Sequence, residues 1–271
     1  MNISIQQAAS AIKAYEQWHE NIARNLSGAT IPGFKSNRFT MESIPAPASK
    51  QSQNAMGQPD SILQSYEMPK GLNKLDFSAG PLKKTELATD MALGGPVNTE
   101  GGDRTLHPFF AVELLESGEV GYTRDGEFHL KEVGNEVRLV TKQGHYVLGE
   151  TGPISFEETT GFDFTISRIG LISENGNDSQ QAVKVVGFEN PEILENIGVG
   201  IFKPTDPLTA EDLDAKNIDI QQFHLEQSNV SSIQEMTRMI QAMRSNEVNH
   251  RVIHHYDQRL GKTIADLGTP I

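Results

Sequence analysis

Cysteine is absent from the 271 residues, which excludes disulfides and thiolate chemistry but does not fix the redox compartment. Long apolar runs are absent too, and no stretch approaches the roughly 20 residues that a membrane-spanning helix needs. The first residues lack a basic head, an apolar segment and a small-residue cleavage site, so no secretory signal peptide is expected there. Basic charge is scarce. Against 36 Asp and Glu stand 23 Lys and Arg, a formal net charge of −13. Residues 1–35 carry three Lys/Arg and two Asp/Glu, and residues 222–271 carry five of each. Subtracting the terminal +1 from −13 leaves −14 for the middle. Phosphate binding wants a basic face, so nucleic acid is not an expected partner. Near-neutral termini can pack on copies of themselves while an acidic middle stays solvated.

A catalytic constellation is the next absence. His250 and His254 stand four apart, with His255 adjacent, a spacing that can place two imidazoles on one metal. The Glu that follows the first His in a zinc-protease helix is missing, so a polar helix face is expected, with no metal. Gly94-Gly95 and Gly101-Gly102 have neither the Lys-Ser/Thr of a phosphate loop nor GxGxxG spacing, and read as a surface loop. Glu157-Glu158 and Glu211-Asp212 lack a placed nucleophile or cleft and read as solvated surface. No enzymatic activity and no cofactor are expected.

What the chain does have is helical periodicity at both ends. From Glu226 to Leu267 one helix of about 60 Å is expected. Apolar residues recur at Ile233, Met236, Ile240 and Met243, then at Ile253, Tyr256, Leu260, Ile264 and Leu267, at steps of three and four. Glu247 and His250 break the stripe between the two runs. Near the N-terminus Ile5, Ala8, Ile12, Tyr15, His19, Ile22 and Leu26 repeat the same steps, with His19 read as a hydrogen-bonded interface residue. Matching seams at the two ends suggest a coiled coil between them. The alternative is two amphipathic helices packed separately on one core. Trp18, the only tryptophan, sits beside the seam, where packing between subunits is its expected role.

Between the ends the period changes. Residues 36–70 are rich in Ser, Gln, Pro and Met without sustained periodicity, and 36–80 reads as an extended arm or linker. Over 81–221 short strand-like runs alternate with glycine turns: Phe109 to Leu115, Gly121 to Arg124, Glu127 to Leu130, Val137 to Val140, Tyr146 to Leu148, Phe164 to Ile166 and Ala182 to Val186. Asp125-Gly126 reads as a hairpin turn needing positive φ at Gly126, and Gln143-Gly144 and Glu174 to Asn177 as further turns. The expected fold class is α+β. Residues 1–35 and 222–271 would pair as a coiled-coil-like helical assembly domain, around an inserted antiparallel all-β domain at 81–221.

Three groups of residues then resemble a known family. Asn25-Leu26 with Gly33-Phe34-Lys35 resembles the N-terminal signature of bacterial flagellar rod and hook proteins. Tyr122-Thr123-Arg124-Asp125-Gly126, within Gly118 to Phe128, is similar to the most distinctive stretch of their middle domain. Leu225-Glu226-Gln227-Ser228-Asn229-Val230, leading into Met236, Ile240 and Arg244, resembles their C-terminal signature. The resemblance implies a subunit of the basal-body rod, proximal or distal, whose terminal helices stack into a hollow torque-transmitting tube while the middle domain faces outward. It implies copies of itself and other rod or hook subunits as partners. It also implies passage through the flagellar type III export apparatus to the periplasmic basal body, without a cleaved signal. Ile5, Ile12, Tyr15, Ile22, Leu26, Ile233, Met236, Ile240, Met243, Ile253, Tyr256 and Leu260 would then line subunit contacts. Two departures stand out: Gly94 to Pro108 replaces the short Gly-x-Gly turn before Phe109-Phe110, and the tail runs on to Ile271. A hook-type or minor axial subunit, or more distantly a cell-wall glycan-binding β module, are the alternatives.

Overall fold

The computed structural model describes residues 2–45, 67–99, 104–134, 136–157, 164–174, 177–206, 209–213 and 217–267. Two helices, Asn2–Gly28 (α1) and Ser232–Leu267 (α2), bracket a chain whose described residues are 42% strand. The α+β expectation is thereby corrected. The chain is mostly β, and its terminal helices are not paired as a coiled coil. Two compact units are present. One comprises Met1–Leu26, Asn37–Lys74 and Ser231–Ile271, the other Ser27–Ser36 and Leu75–Val230.

In the first unit the strands Ser36–Pro45 (β1) and Glu67–Asp76 (β2) form a two-stranded ribbon. Among the described side chains of α1 the buried ones are Ala14, Asn21, Ile22 and Asn25. At 100° per residue that face is centred about 110° from the expected stripe, of which Ile22 is buried while Ile12, Tyr15, His19 and Leu26 are only half-buried. The rotation has a polar cause. Asn21 Nδ2 donates to Asn73 Oδ1 at 3.1 Å. Asn25 Nδ2 donates to the Asn37 carbonyl at 2.9 Å, and its Oδ1 accepts the Asn37 N–H at 2.8 Å. Gly71 lets the ribbon approach, since a Cβ there would lie 2.4 Å from the Phe39 ring and 2.8 Å from Gln17 Oε1. Each such bond is worth about 1 kcal/mol, and together they fix which side of the helix faces the ribbon.

The seam expected on α2 is also turned away. Glu235 and Ala242 are buried, whereas Ile233 is 79% exposed, Met236 and Ile240 53% and Met243 50%. Ile240 and Ile253 stand thirteen residues apart, about 220° around a helix, so the two apolar runs occupy different faces. Ile253 is half-buried. The side chains of Ile5, Tyr256 and Leu260 lie outside the described residues, as do Asn175 and Gly176 of one expected turn.

The second unit is built on short antiparallel strands: Leu82–Lys84 (β3), Met91–Leu93 (β4), Val97–Asn98 (β5), Thr105–Glu113 (β6), Val120–Thr123 (β7), Phe128–Val133 (β8), Glu136–Thr141 (β9) and Tyr146–Gly149 (β10), followed by others to Glu226. β6 is central, pairing with β5, β7, β10 and Val185–Phe188. Its alternation puts Phe109 and Ala111 into one buried cluster, with Phe77, Phe188 and Phe202, and Phe110 into another, with Phe128, Leu139 and Val147. Edge-on ring pairs bind each cluster, Phe109 to Phe188 at 5.5 Å and Phe110 to Phe128 at 5.2 Å.

Asp125-Gly126 is not a hairpin turn. β7 pairs with β6 and Ile201–Pro204, while β8 pairs with β9 beyond Gly134, which has φ +69°. Gly126 is not among the glycines with positive φ. Its lack of a side chain serves close approach instead, because a Cβ there would fall 1.6 Å from the Met91 carbonyl oxygen. Gly144, in the β9–β10 turn, has φ +93° and open space around it. Gly126→Ala should therefore destabilise the full chain by about 3 kcal/mol or more, and Gly144→Ala by only about 1 kcal/mol. Urea unfolding of both variants measures this, and equal losses would refute the close approach at Gly126.

Candidate functional site

The three sequence motifs meet inside the second unit, around Glu226. Its strand, His224–Glu226, pairs antiparallel with β3. Lys35 sits just before β1 and Arg124 just after β7, and all three side chains are almost fully buried. Lys35 Nζ donates to Glu226 Oε1 at 2.7 Å. Arg124 Nε donates to Oε2 at 2.9 Å, and Nη2 approaches the same oxygen at 2.6 Å. The Gly80 N–H adds a donor to Oε1 at 2.9 Å. The cations have further acceptors: the Ser78 carbonyl for Lys35 at 2.9 Å and the Pro108 carbonyl for Arg124 at 2.7 Å.

Electrostatics follow from that geometry. Burial alone would push the Glu226 carboxyl up, but Arg124 and Lys35 outweigh it and hold the group below its ordinary range. Burial lowers the Lys35 ammonium, opposed by Glu226. Two cations on one carboxylate leave each group paired, and a buried pair is costly chiefly when one partner is removed.

The surrounding motif residues serve the same junction. Gly33, with φ +65°, donates its N–H to the Glu226 carbonyl at 2.7 Å, and a Cβ there would lie 2.4 Å from the Arg124 backbone. Phe34 covers Gly28 so closely that a Cβ on Gly28 would meet its ring at 2.4 Å. Asn229 Oδ1 accepts the Ser36 N–H at 2.8 Å, while its Nδ2 donates to the Asp76 carbonyl at 2.8 Å. One amide thus ties together segments around residues 36, 76 and 229. Ser228 Oγ accepts the Val230 N–H and shapes the turn leading towards α2. Thr123 Oγ1 donates to the Gly200 carbonyl at 2.7 Å and accepts the Asp125 N–H at 3.0 Å.

Other motif residues lie elsewhere. Tyr122 packs edge-on against Phe188 at 5.0 Å, and Phe128 belongs to the core. Asn25 is the partner of Asn37 in the first unit. His19 and His250 line one groove of that unit beside Asn246, and His254 meets Gln258 on the exposed side of α2. Among the described residues no group of three or more His, Asp or Glu is placed to hold a metal ion. Glu226 itself was singled out only as part of a motif string. The signal for it was two buried-prone motif cations, Lys35 and Arg124, with one motif anion to share.

Asp125 is the titratable group nearest this junction that is poorly compensated. It is 7% exposed, its Oδ1 accepts the Glu127 N–H, and burial raises its pKa from 3.8 to about 6. Asp90 is likewise raised by burial. The folded chain therefore binds the Asp125 proton more tightly than the unfolded chain. Its contribution is fully present below pH 3.8 and is lost as pH rises through about 6. Asp125→Asn should raise stability by on the order of 2 kcal/mol at pH 7.5 and change little at pH 4. Melting curves at the two pH values decide it, and a gain confined to pH 4 would contradict the assignment. Glu226→Gln should cost about 3–5 kcal/mol at neutral pH, because two buried cations lose their anion. A loss below 1 kcal/mol in urea titration would mean the cluster is not what joins the motifs.

Comparison with known proteins agrees with the motif geometry. Residues 221–267 match the family described as flagellar basal body rod FlgEFG protein C-terminal. Residues 107–174 match the flagellar hook protein FlgE/F/G D1 domain. The chain is 31% identical to the flagellar basal-body rod protein FlgG of Borreliella burgdorferi, over 94% of each chain. It is 30% identical to the rod protein FlgF of Salmonella typhimurium, over 89% of this chain and 88% of that one. With the hook-basal body complex protein FlhP of Bacillus subtilis it shares 26% identity over 94% and 95%. With motifs, buried junction and nearly full-length similarity in agreement, the chain belongs to the flagellar basal-body rod protein family.

Proposed function

We propose that this structural rod subunit polymerises through its terminal helices, and that the exposed apolar stripe of α2 is the principal contact. The observation that carries the reading is the row Ile233, Met236, Ile240 and Met243, all at least half exposed on one helical face. Apolar area of that kind is stabilised by removal from water at about 25 cal/mol per Å², before association costs. Ile12, Tyr15, Ile22 and Leu26 are partly or fully covered within the unit, so α1 contributes fewer free apolar groups. The polymer would be a hollow axial tube in the basal body, formed with other rod and hook subunits. Its work would be mechanical rather than catalytic. Family membership supports periplasmic assembly after type III export without a cleaved signal.

Ile240→Asp tests this without disturbing the fold, because the side chain is already 53% exposed. The expected result is unchanged circular dichroism and at least a tenfold rise in the concentration needed for assembly, since burying an unpaired carboxylate costs several kcal/mol. Sedimentation velocity over a concentration series reads it. Parental assembly behaviour in the variant would remove the stripe from the interface.

A further inference from the structure

The Glu226 junction has a second side. His107 lies on β6 immediately before Pro108, whose carbonyl accepts Arg124 Nη1. Alternation along β6 puts His107 on the same face as Phe109. Both border a cavity of about 10 Å³ together with Phe77, Lys35 and Arg124. That is room for one water-sized particle. The half-buried imidazole makes no hydrogen bond among the described residues.

Charge around this cavity is unbalanced. Two cations and one carboxylate, Glu226, leave the buried junction with an excess positive charge. Burial first, then Arg124 and Lys35, hold the imidazole below its ordinary pKa range. The other carboxylates nearby are engaged elsewhere or act weakly. Asp76 is the weakest influence on Lys35, while Glu189, next to Phe188 on the paired strand, and Glu211 on the strand beyond it meet Arg104. Lys35 and Arg124 can only donate hydrogen bonds, and a protonated His107 can do no more. A water molecule wants acceptors as well as donors, whereas an anion only accepts. The remaining side chains of the wall, Phe77, Ala79, Pro96 and Phe109, are apolar and offer nothing to a large hydrated ion.

We infer that this cavity is a site for one small monovalent anion of halide size, held between His107, Lys35 and Arg124, and that it fills as His107 takes up a proton. The anion supplies the second negative charge that the junction lacks. Without it the linkage has a definite sign. The folded chain binds the His107 proton less tightly than the unfolded chain, so stability is lost as pH falls through 6.5. An anion that binds only the folded chain offsets part of that loss.

The test uses the full-length chain and full-length His107→Gln, which keeps a polar side chain at a half-buried position and removes the titration. Thermal unfolding is followed at fixed ionic strength in sodium chloride or in sodium gluconate, whose anion is too large for the cavity, at about pH 5.5 and about pH 8. Comparing the two salts at one pH cancels the opposite titration of Asp125. For the unmodified chain the advantage of chloride should saturate with concentration and be several-fold larger at the lower pH. A site half filled at about 10 mM chloride would raise the midpoint by about 3–5 °C at about 100 mM. In His107→Gln the advantage should be small and the same at both pH values. An equal advantage at both pH values in the unmodified chain would overturn the inference, and so would an undiminished pH-dependent advantage in the variant. The chlorine NMR linewidth reads binding without unfolding. Excess broadening by the unmodified chain should grow as pH falls, and broadening that pH leaves unchanged would refute a proton-linked anion.

Discussion

Glu226 receives two cations and a backbone amide in a place that water does not reach, and the second unit is arranged around that requirement. Its partners lie 191 and 102 residues away in sequence. Bringing them together closes loops whose entropic cost grows only slowly with length, so the expense is mainly desolvation. Once paid, it makes each participant dependent on the others, because losing one leaves a buried charge without its counterpart. Lys35, Arg124 and Glu226 therefore behave as one unit, although they stand in three separate motifs. The close approach at Gly33 follows from the same demand, since a Cβ there would meet the Arg124 backbone.

Local periodicity was legible in the sequence to a useful degree. Helical spacing at both ends and strand-like runs between residues 109 and 186 correspond to elements of the structure. Which faces those helices bury was not legible. Spacing ranks faces by apolar content, and α1 is held instead by amides, Asn21 and Asn25, that answer to a ribbon far along the chain. On α2 the richest stripe, Ile233 to Met243, is the free one, so the usual inference from apolar to buried fails. The Asp125-Gly126 turn failed for a related reason. Glycine serves positive φ and close approach alike, and only Met91, 35 residues away, distinguishes them. The candidate site was half visible: its cations stood among the motif residues, but their common anion becomes evident only when the strands are brought together.

The failure on α2 is of a different kind. A subunit that works in an array has to keep part of its apolar surface for neighbours, so its isolated structure looks incorrectly amphipathic. Family membership and the exposed stripe point in the same direction by independent routes, one through ancestry and one through uncovered surface.

Asn229 has a consequence of a different kind. A single peptide strand leaving a folded body is a swivel, because its φ and ψ turn with little resistance. The second unit does not end in single strands. At Ser36, Asp76 and Asn229 three of its chain exits are laced side by side by one carboxamide. Turning any one exit shears bonds to the other two, so that end of the unit resists twist as a short cable does, through the lashing of its fibres rather than the stiffness of each.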